Sequence, residues 1–177
     1  GGRVEYDYLQ TGNFGIYGCI TESPQEQTYR YYLREMRTYD GLSSGSSSPV
    51  QKVVYTVSGA YAHAAASGDP TCADEFEFGG YGTVIKEVKD GGGTLLQKTH
   101  NYYHTGGGAG VAARAGKLYQ SDGYDAAGTL LTRRYSNWIE GSAFSTPWVY
   151  LQDSTTTTKG SGNTPDVSSG TAYQYRT

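Results

Sequence analysis

The stretch that decides the fold is Asp90-Gly91-Gly92-Gly93-Thr94-Leu95-Leu96-Gln97-Lys98, because it returns 35 positions later as Asp125-Ala126-Ala127-Gly128-Thr129-Leu130-Leu131-Thr132-Arg133. In both copies a strand-like run precedes the aspartate, and a second strand-like run follows the Gly-containing turn. Repeats with a period of about 20 to 50 residues are typical of one supersecondary unit copied along a chain, with neighbouring units stacked. The repeat therefore predicts a repetitive β-structure.

The residues at the two turns predict β-hairpins. Asp90-Gly91 is a strong hairpin signal, because Gly accepts positive φ and Asp bonds back to nearby backbone amides. Asp125 is followed by glycine only at Gly128, which predicts a longer turn closed by a left-handed glycine. Apolar and charged side chains alternate over residues 84–89, as they do in a strand that shows a different surface on each face.

The composition favours an all-β, antiparallel fold. The chain has 18 Tyr, 4 Phe and 2 Trp against a single Met, and 26 Gly against 5 Pro. Tyrosine, threonine and valine favour the pleated surface of a sheet, and abundant glycine suits many tight turns. No segment has a sustained helical period, and the Ala-rich run 60–66 is too short for a stable isolated helix. We therefore expect no substantial helix.

Weaker copies extend the pattern in both directions. Residues 31–41 resemble residues 81–91, and residues 148–153 open a further hairpin whose polar tip spans residues 159–170. Flexible segments are expected over residues 59–70 and 105–116. We interpret the chain as a single repeat region, part of a longer array, with hairpin units at about 29–58, 75–104, 115–140 and 147–177.

Three turns share a Tyr-Asp and glycine pattern that resembles the YD-repeat, or Rhs, family. They are Tyr39-Asp40-Gly41, Lys89-Asp90-x-x-Gly93 and Tyr124-Asp125-x-x-Gly128-Thr129-Leu130-Leu131. The last is the best match, and the second has Lys89 in place of tyrosine. The resemblance covers most of residues 29–177.

The resemblance implies a structural role outside the cell. Members of that family are secreted or cell-surface proteins whose repeats form an antiparallel β-strip that spirals into a hollow shell, in bacterial toxin systems and in animal adhesion receptors. The expected partners are flanking repeats or identical subunits. The self-cleaving Asp-Pro motif of bacterial members is not carried over, because Asp69-Pro70 lacks its glycines.

Charge and hydropathy exclude several classes of partner. The formal net charge is −3 and the pI is near 5.6, so we expect no nucleic-acid binding. No stretch approaches the roughly 18 apolar residues of a membrane-spanning helix. Cys19 and Cys72 allow one disulfide, which would indicate an oxidising compartment, or two unpaired thiols.

Neither a metal site nor a catalytic site is predicted. His100 and His104 would suit zinc on a helix, but on a strand residues i and i+4 lie about 13 Å apart. Turn aspartates such as Asp40 could bind calcium, but capping of the turn explains them fully. No nucleophile elbow or acid–base set is present. We therefore expect neither an enzyme nor a bound cofactor.

Exposed aromatic side chains leave an alternative function open. Rows of tryptophan and tyrosine can stack on sugar rings, and the candidates are Trp138, Trp148 and Tyr150. The alternative is a carbohydrate-binding or adhesion module that recognises cell-surface glycans. A self-assembling extracellular filament subunit is a further alternative, and a hydrolase ranks lowest.

Overall fold

The computed structural model describes residues 2–10, 31–41, 48–64, 76–105, 114–143, 146–162 and 164–174. These residues form one open antiparallel sheet and contain no α-helix, so the all-β prediction is confirmed. Its nine strands are β1 (Arg3–Gln10), β2 (Tyr31–Tyr39), β3 (Gln51–Ala64), β4 (Phe76–Asp90), β5 (Leu95–Tyr103), β6 (Leu118–Asp125), β7 (Leu130–Ala143), β8 (Thr146–Thr158) and β9 (Val167–Ala172).

The sheet is a meander, in which each strand pairs with the next strand along the chain. The spatial order runs from β1 to β9 without a crossover, and every described pairing is antiparallel. The longest ladders join β3 to β4 and β7 to β8. Meander connections are local, so each hairpin brings its own neighbour into register. β1 and β9 form the two edges of the described sheet.

Few described side chains are buried. Tyr39, Val53, Asp122 and Ser154 are the only described residues below a tenth of full exposure. Large apolar side chains remain exposed along the sheet, among them Tyr6, Tyr8 and Leu96. Most globular domains cover at least one sheet face with a second layer, and the described part of this chain has one layer only.

Two segments differ from the sequence-based expectation. β3 continues to Ala64, through half of the Ala-rich run for which a flexible segment was predicted. Here pairing with β4 overrides the weak local preference of alanine. β9 begins at Val167, inside the predicted polar tip. The tip is shorter because Asp166 accepts hydrogen bonds from Lys159 Nζ and from the Gly160 amide, which together close the loop.

Candidate functional site

The two copies of the repeated sequence form the same turn. The Asp90 amide donates to the Thr94 carbonyl (2.9 Å) and the Gly93 amide donates to the Asp90 carbonyl (3.0 Å). In the second copy the matching backbone bonds measure 3.0 and 3.2 Å. The aspartate side chain also accepts a bond from the backbone amide four residues later, at 2.8 Å in both turns. This bond lowers the pKa of Asp90 from its ordinary value.

Glycine has two different reasons to occupy the first turn. Gly93 has φ of +94° and its counterpart Gly128 has +86°, which a residue with a side chain rarely adopts. Gly91 does not have positive φ; instead, a Cβ atom there would lie 1.9 Å from the Pro49 carbonyl oxygen. The tight Asp-Gly turn predicted at residue 90 is therefore wrong in detail, because both copies adopt the longer turn expected only for the second copy.

A β-bulge follows each turn at the second leucine of the repeated sequence. In the first copy Val88 pairs with Gln97 and Lys89 pairs with Leu95, which leaves Leu96 as the extra residue. The same shift in the second copy leaves Leu131 as the extra residue. Both leucines are exposed, by 50% and 44% respectively. The repeat therefore places equivalent apolar side chains on the surface beside equivalent turns.

A basic residue lies opposite the position that precedes the turn aspartate in three units. Arg3 pairs with Tyr39, and its guanidinium lies 4.1 Å from the centre of the tyrosine ring. Lys98 pairs with Tyr124, and its ammonium lies 5.3 Å from the ring centre. Both are cation–π contacts. In the remaining unit Lys52 faces Lys89 instead of a tyrosine.

The substituted lysine finds another partner. Lys89 Nζ lies 2.8 Å from Glu87 Oε2 on its own strand. The two tyrosines also bond to carboxylates through their hydroxyls: Tyr39 donates to Glu5 (2.7 Å), and Tyr124 lies 3.5 Å from Asp122. Buried tyrosine hydroxyls need such partners, so the Tyr-Asp pattern has a packing reason as well as a turn reason.

The most buried polar group of the described sheet is the Asp122 carboxylate on β6. The residue is 1% exposed. Arg133, directly opposite on β7, donates to both carboxylate oxygens at 2.8 Å, from Nε and from Nη2. Gln120 Nε2 donates a further bond of 2.9 Å. The Arg133 bonds lower the pKa of Asp122 most strongly, and Asp122 in turn raises the pKa of Arg133.

The pair belongs to a row that crosses the sheet from β4 to β8. Successive strands place Ile85, His100, Asp122, Arg133 and Thr157 side by side, so their side chains share one face. We call these five residues the central row. Burial lowers the pKa of His100, with the nearby Lys98 charge acting in the same direction. His100 Nε2 is buried without a hydrogen-bond partner, so the neutral form suits this position.

The aromatic candidates for sugar binding occupy different environments. The Trp138 indole donates to the Leu118 carbonyl at 2.8 Å, and Lys117 Nζ lies 5.4 Å from its ring centre. Trp148 and Tyr150 on β8 stack on one another, with centroids 4.6 Å apart and ring planes 27° apart. Trp148 is 36% exposed. The structure thus pairs two of the three candidates and uses the indole N–H of Trp138 within the sheet.

The remaining predicted residues contribute little geometry. No group of three or more His, Cys, Asp or Glu side chains suited to a metal ion occurs among the described residues. Within the same residues, no helix is long and apolar enough to span a membrane. Asp40 and Gly41 lie at the end of the described part of their turn. Cys19, Cys72 and Asp69-Pro70 lie outside the described residues.

The sequence reasoning missed the central row, although a signal was available. The repeat contains an acidic residue three positions before each turn aspartate and a basic residue 11 positions after that acidic residue: Glu87 with Lys98, and Asp122 with Arg133. These residues are directly opposite each other in the structure. Comparison of the chain with protein-family models, with curated proteins and with solved structures finds no match.

Proposed function

We propose that the chain is a structural β-sheet element of an extracellular or cell-surface protein, and that it forms part of a wall or scaffold. The observation that carries the proposal is the single-layer sheet, in which successive hairpins repeat one turn, one bulge and one pattern of basic residues. A repeated unit of this kind lengthens a surface without creating a unique pocket. The Tyr-Asp motif and its resemblance to YD-repeat proteins add support for a shell or adhesion scaffold.

The distribution of polar groups supports a structural role over a catalytic one. The buried carboxylate of Asp122 has its hydrogen bonds satisfied by Arg133 and Gln120, both on the same sheet. Saturated charge pairs of this kind fix strand register and do not leave a group ready to transfer a proton. We therefore propose that the chain is not an enzyme, and that its charged residues hold the sheet together.

The intact mass and assembly state of the native material test this proposal. Mass spectrometry and electron microscopy on the same sample would report a mass far above 19.1 kDa, or closed hollow particles, for a stretch of a shell protein. Discrete 19.1 kDa subunits joined into filaments would support a scaffold and contradict an enclosing shell. A monomer with turnover of a model substrate would refute the structural role.

Sugar binding is a second candidate function, and the stacked Trp148–Tyr150 pair favours it. Two aromatic rings on one face of β8 provide a platform of the kind that stacks on pyranose rings. The test is a glycan-binding assay on Trp148→Ala, with Trp138→Phe as the matched control. Saturable binding that is lost only in Trp148→Ala would support this function. Equal binding by both variants would remove the platform from consideration.

A further inference from the structure

The edge strand β9 differs from the opposite edge strand in its chemistry. All six residues of β9, Val-Ser-Ser-Gly-Thr-Ala, are exposed and none is charged. β1 instead carries Arg3, Glu5 and Asp7. Natural sheets discourage edge-to-edge pairing with charged residues, proline or bulges on their edge strands. β9 has none of these devices and pairs with β8 in an unbroken register.

The hydrogen bonds to β8 show which backbone groups of β9 point away from the sheet. The Tyr173 amide donates to the Gln152 carbonyl at 2.8 Å. Because hydrogen-bonded and non-hydrogen-bonded pairs alternate along an antiparallel ladder, Val167, Ser169 and Thr171 also direct their amides and carbonyls to β8. The outward groups belong to the three other residues of β9, namely Ser168, Gly170 and Ala172. No described strand lies beyond them.

Strand direction decides which edge of a second copy suits β9. Neighbouring strands of the meander alternate in direction, so β1 and β9 run the same way. A second copy that presents its β1 to β9 with the same face outward would form a parallel pair. A copy related by a two-fold axis normal to the sheet presents its own β9 in the antiparallel direction. Antiparallel pairing is slightly more stable per residue and continues the pattern of this sheet.

We propose that two copies of this chain associate through their β9 strands, around a two-fold axis that passes beside Gly170. In this register Gly170 faces Gly170 of the second copy, and Ser168 faces Ala172. The outward amides and carbonyls of these three residues then form the hydrogen-bonded pairs of a new antiparallel ladder. The two sheets become one continuous sheet.

The side chains that meet across this axis are complementary. Val167 faces Tyr173 of the second copy, and these are the two large apolar residues exposed at this edge, by 66% and 41%. A β-branched residue opposite an aromatic one is a favourable cross-strand pair. Ser169 faces Thr171, which places two hydroxyls together. Self-pairing of β1 about Glu5 would instead place like charges opposite each other.

This inference rests on the proposed scaffold role, because it names the partner through which the sheet extends. Pairing of a six-residue edge buries less than the roughly 1,200 Å² of a standard interface. We therefore expect a weak dimer with a dissociation constant of about micromolar or weaker. Multiple contacts along an assembled wall would strengthen such an interaction.

A cysteine scan of β9 in the full chain tests the register. In a hydrogen-bonded pair the Cα atoms lie about 5.5 Å apart, within the range of about 4.4–6.8 Å for a disulfide. Gly170→Cys should therefore form an intermolecular disulfide under mild oxidation. Ser169→Cys is the matched control, because its two copies are diagonal neighbours about 7–8 Å apart. Peptide mapping by mass spectrometry separates this link from any bond of Cys19 or Cys72.

A charge at the axis provides an independent test by sedimentation. A Cβ atom at Gly170 meets the Ser154 carbonyl at 3.6 Å, which is ordinary contact, so a side chain there leaves its own sheet undisturbed. Gly170→Lys places two ammonium groups at the axis and should weaken the dimer at least about tenfold. Val4→Lys on the exposed part of β1 should leave the dimer unchanged.

The outcomes separate this inference from the proposed function. A link at residue 170 but not at residue 169, with dimer loss only in Gly170→Lys, supports the β9 pairing. A link at residue 169, or no link at either position, overturns it. Hydrogen exchange in β4–β7 is the separate readout for the scaffold: protected amides there without a β9 link refute only the pairing, and unprotected amides refute the sheet and the scaffold role together.

Discussion

Replacing Arg133 with methionine should destabilise the sheet by leaving the Asp122 carboxylate buried without its cation. The Asp122 side chain is 2% exposed and loses two charge-assisted hydrogen bonds of 2.8 Å in this variant. Breaking a buried ion pair by removing one partner costs about 3–5 kcal/mol. Arg133 is 34% exposed and Gln120 remains as a donor, so we expect the lower end, about 3 kcal/mol.

Urea unfolding at pH 7, followed by tryptophan fluorescence and circular dichroism, measures the effect. With a denaturant slope of about 1–3 kcal/mol per molar, a loss of about 3 kcal/mol shifts the midpoint down by about 1–3 M. Arg133→Lys retains the charge but not the two-pronged contact, and should lose about half as much. It remains measurable if the methionine variant is largely unfolded. Lys98→Met is the matched control from the other copy of the repeat, and should cost less than about 1 kcal/mol.

The dependence on pH provides a second check. Arg133 holds the folded-state pKa of Asp122 below its unfolded value, so the contribution of the pair is complete above that unfolded value, about 3.9. It is lost as the pH falls through the folded-state pKa. The difference between the native chain and Arg133→Met should therefore shrink below about pH 4. A methionine variant within about 0.5 kcal/mol of the native chain at pH 7 would refute the reasoning, as would a difference that grows in acid.

Three further changes test other parts of the sheet. Gly93→Ala should cost about 1–2 kcal/mol in urea unfolding because of its positive φ, while Gly92→Ala, which has ordinary backbone angles, should be close to neutral. Lys89→Tyr should raise stability by about 0.5–1 kcal/mol by restoring the ring that faces Lys52, and a lower midpoint would contradict the cation–π interpretation. Because burial lowers the pKa of His100, stability is lost as the pH falls from about 6.5 through the folded-state pKa. His100→Gln should reduce that loss between pH 7.5 and 5.5, and an unchanged slope would exclude His100 as its source.

The sequence alone determined the fold class and the existence of the repeated turn. Period-two alternation, aspartate at the start of the turn and glycine at its end are local signals, because a hairpin is formed by residues close in the chain. The motif at Asp125 predicted a left-handed Gly128, and the structure has it. The same reasoning failed at Gly91, since its close approach to Pro49 comes from the neighbouring strand β3 and not from the turn itself.

Only the tertiary structure decided which residues share a face and which strand forms each edge. The register across three strands brings His100, Asp122 and Arg133 into one row, although no two of them are adjacent in the sequence. Cross-strand register depends on bulges, and one extra residue moves every later side chain to the opposite face. The outward direction of Gly170 likewise follows from the hydrogen-bond phase between β8 and β9. Local patterns specify the hairpins, whereas the charged row and the bare edge arise from how the hairpins are aligned.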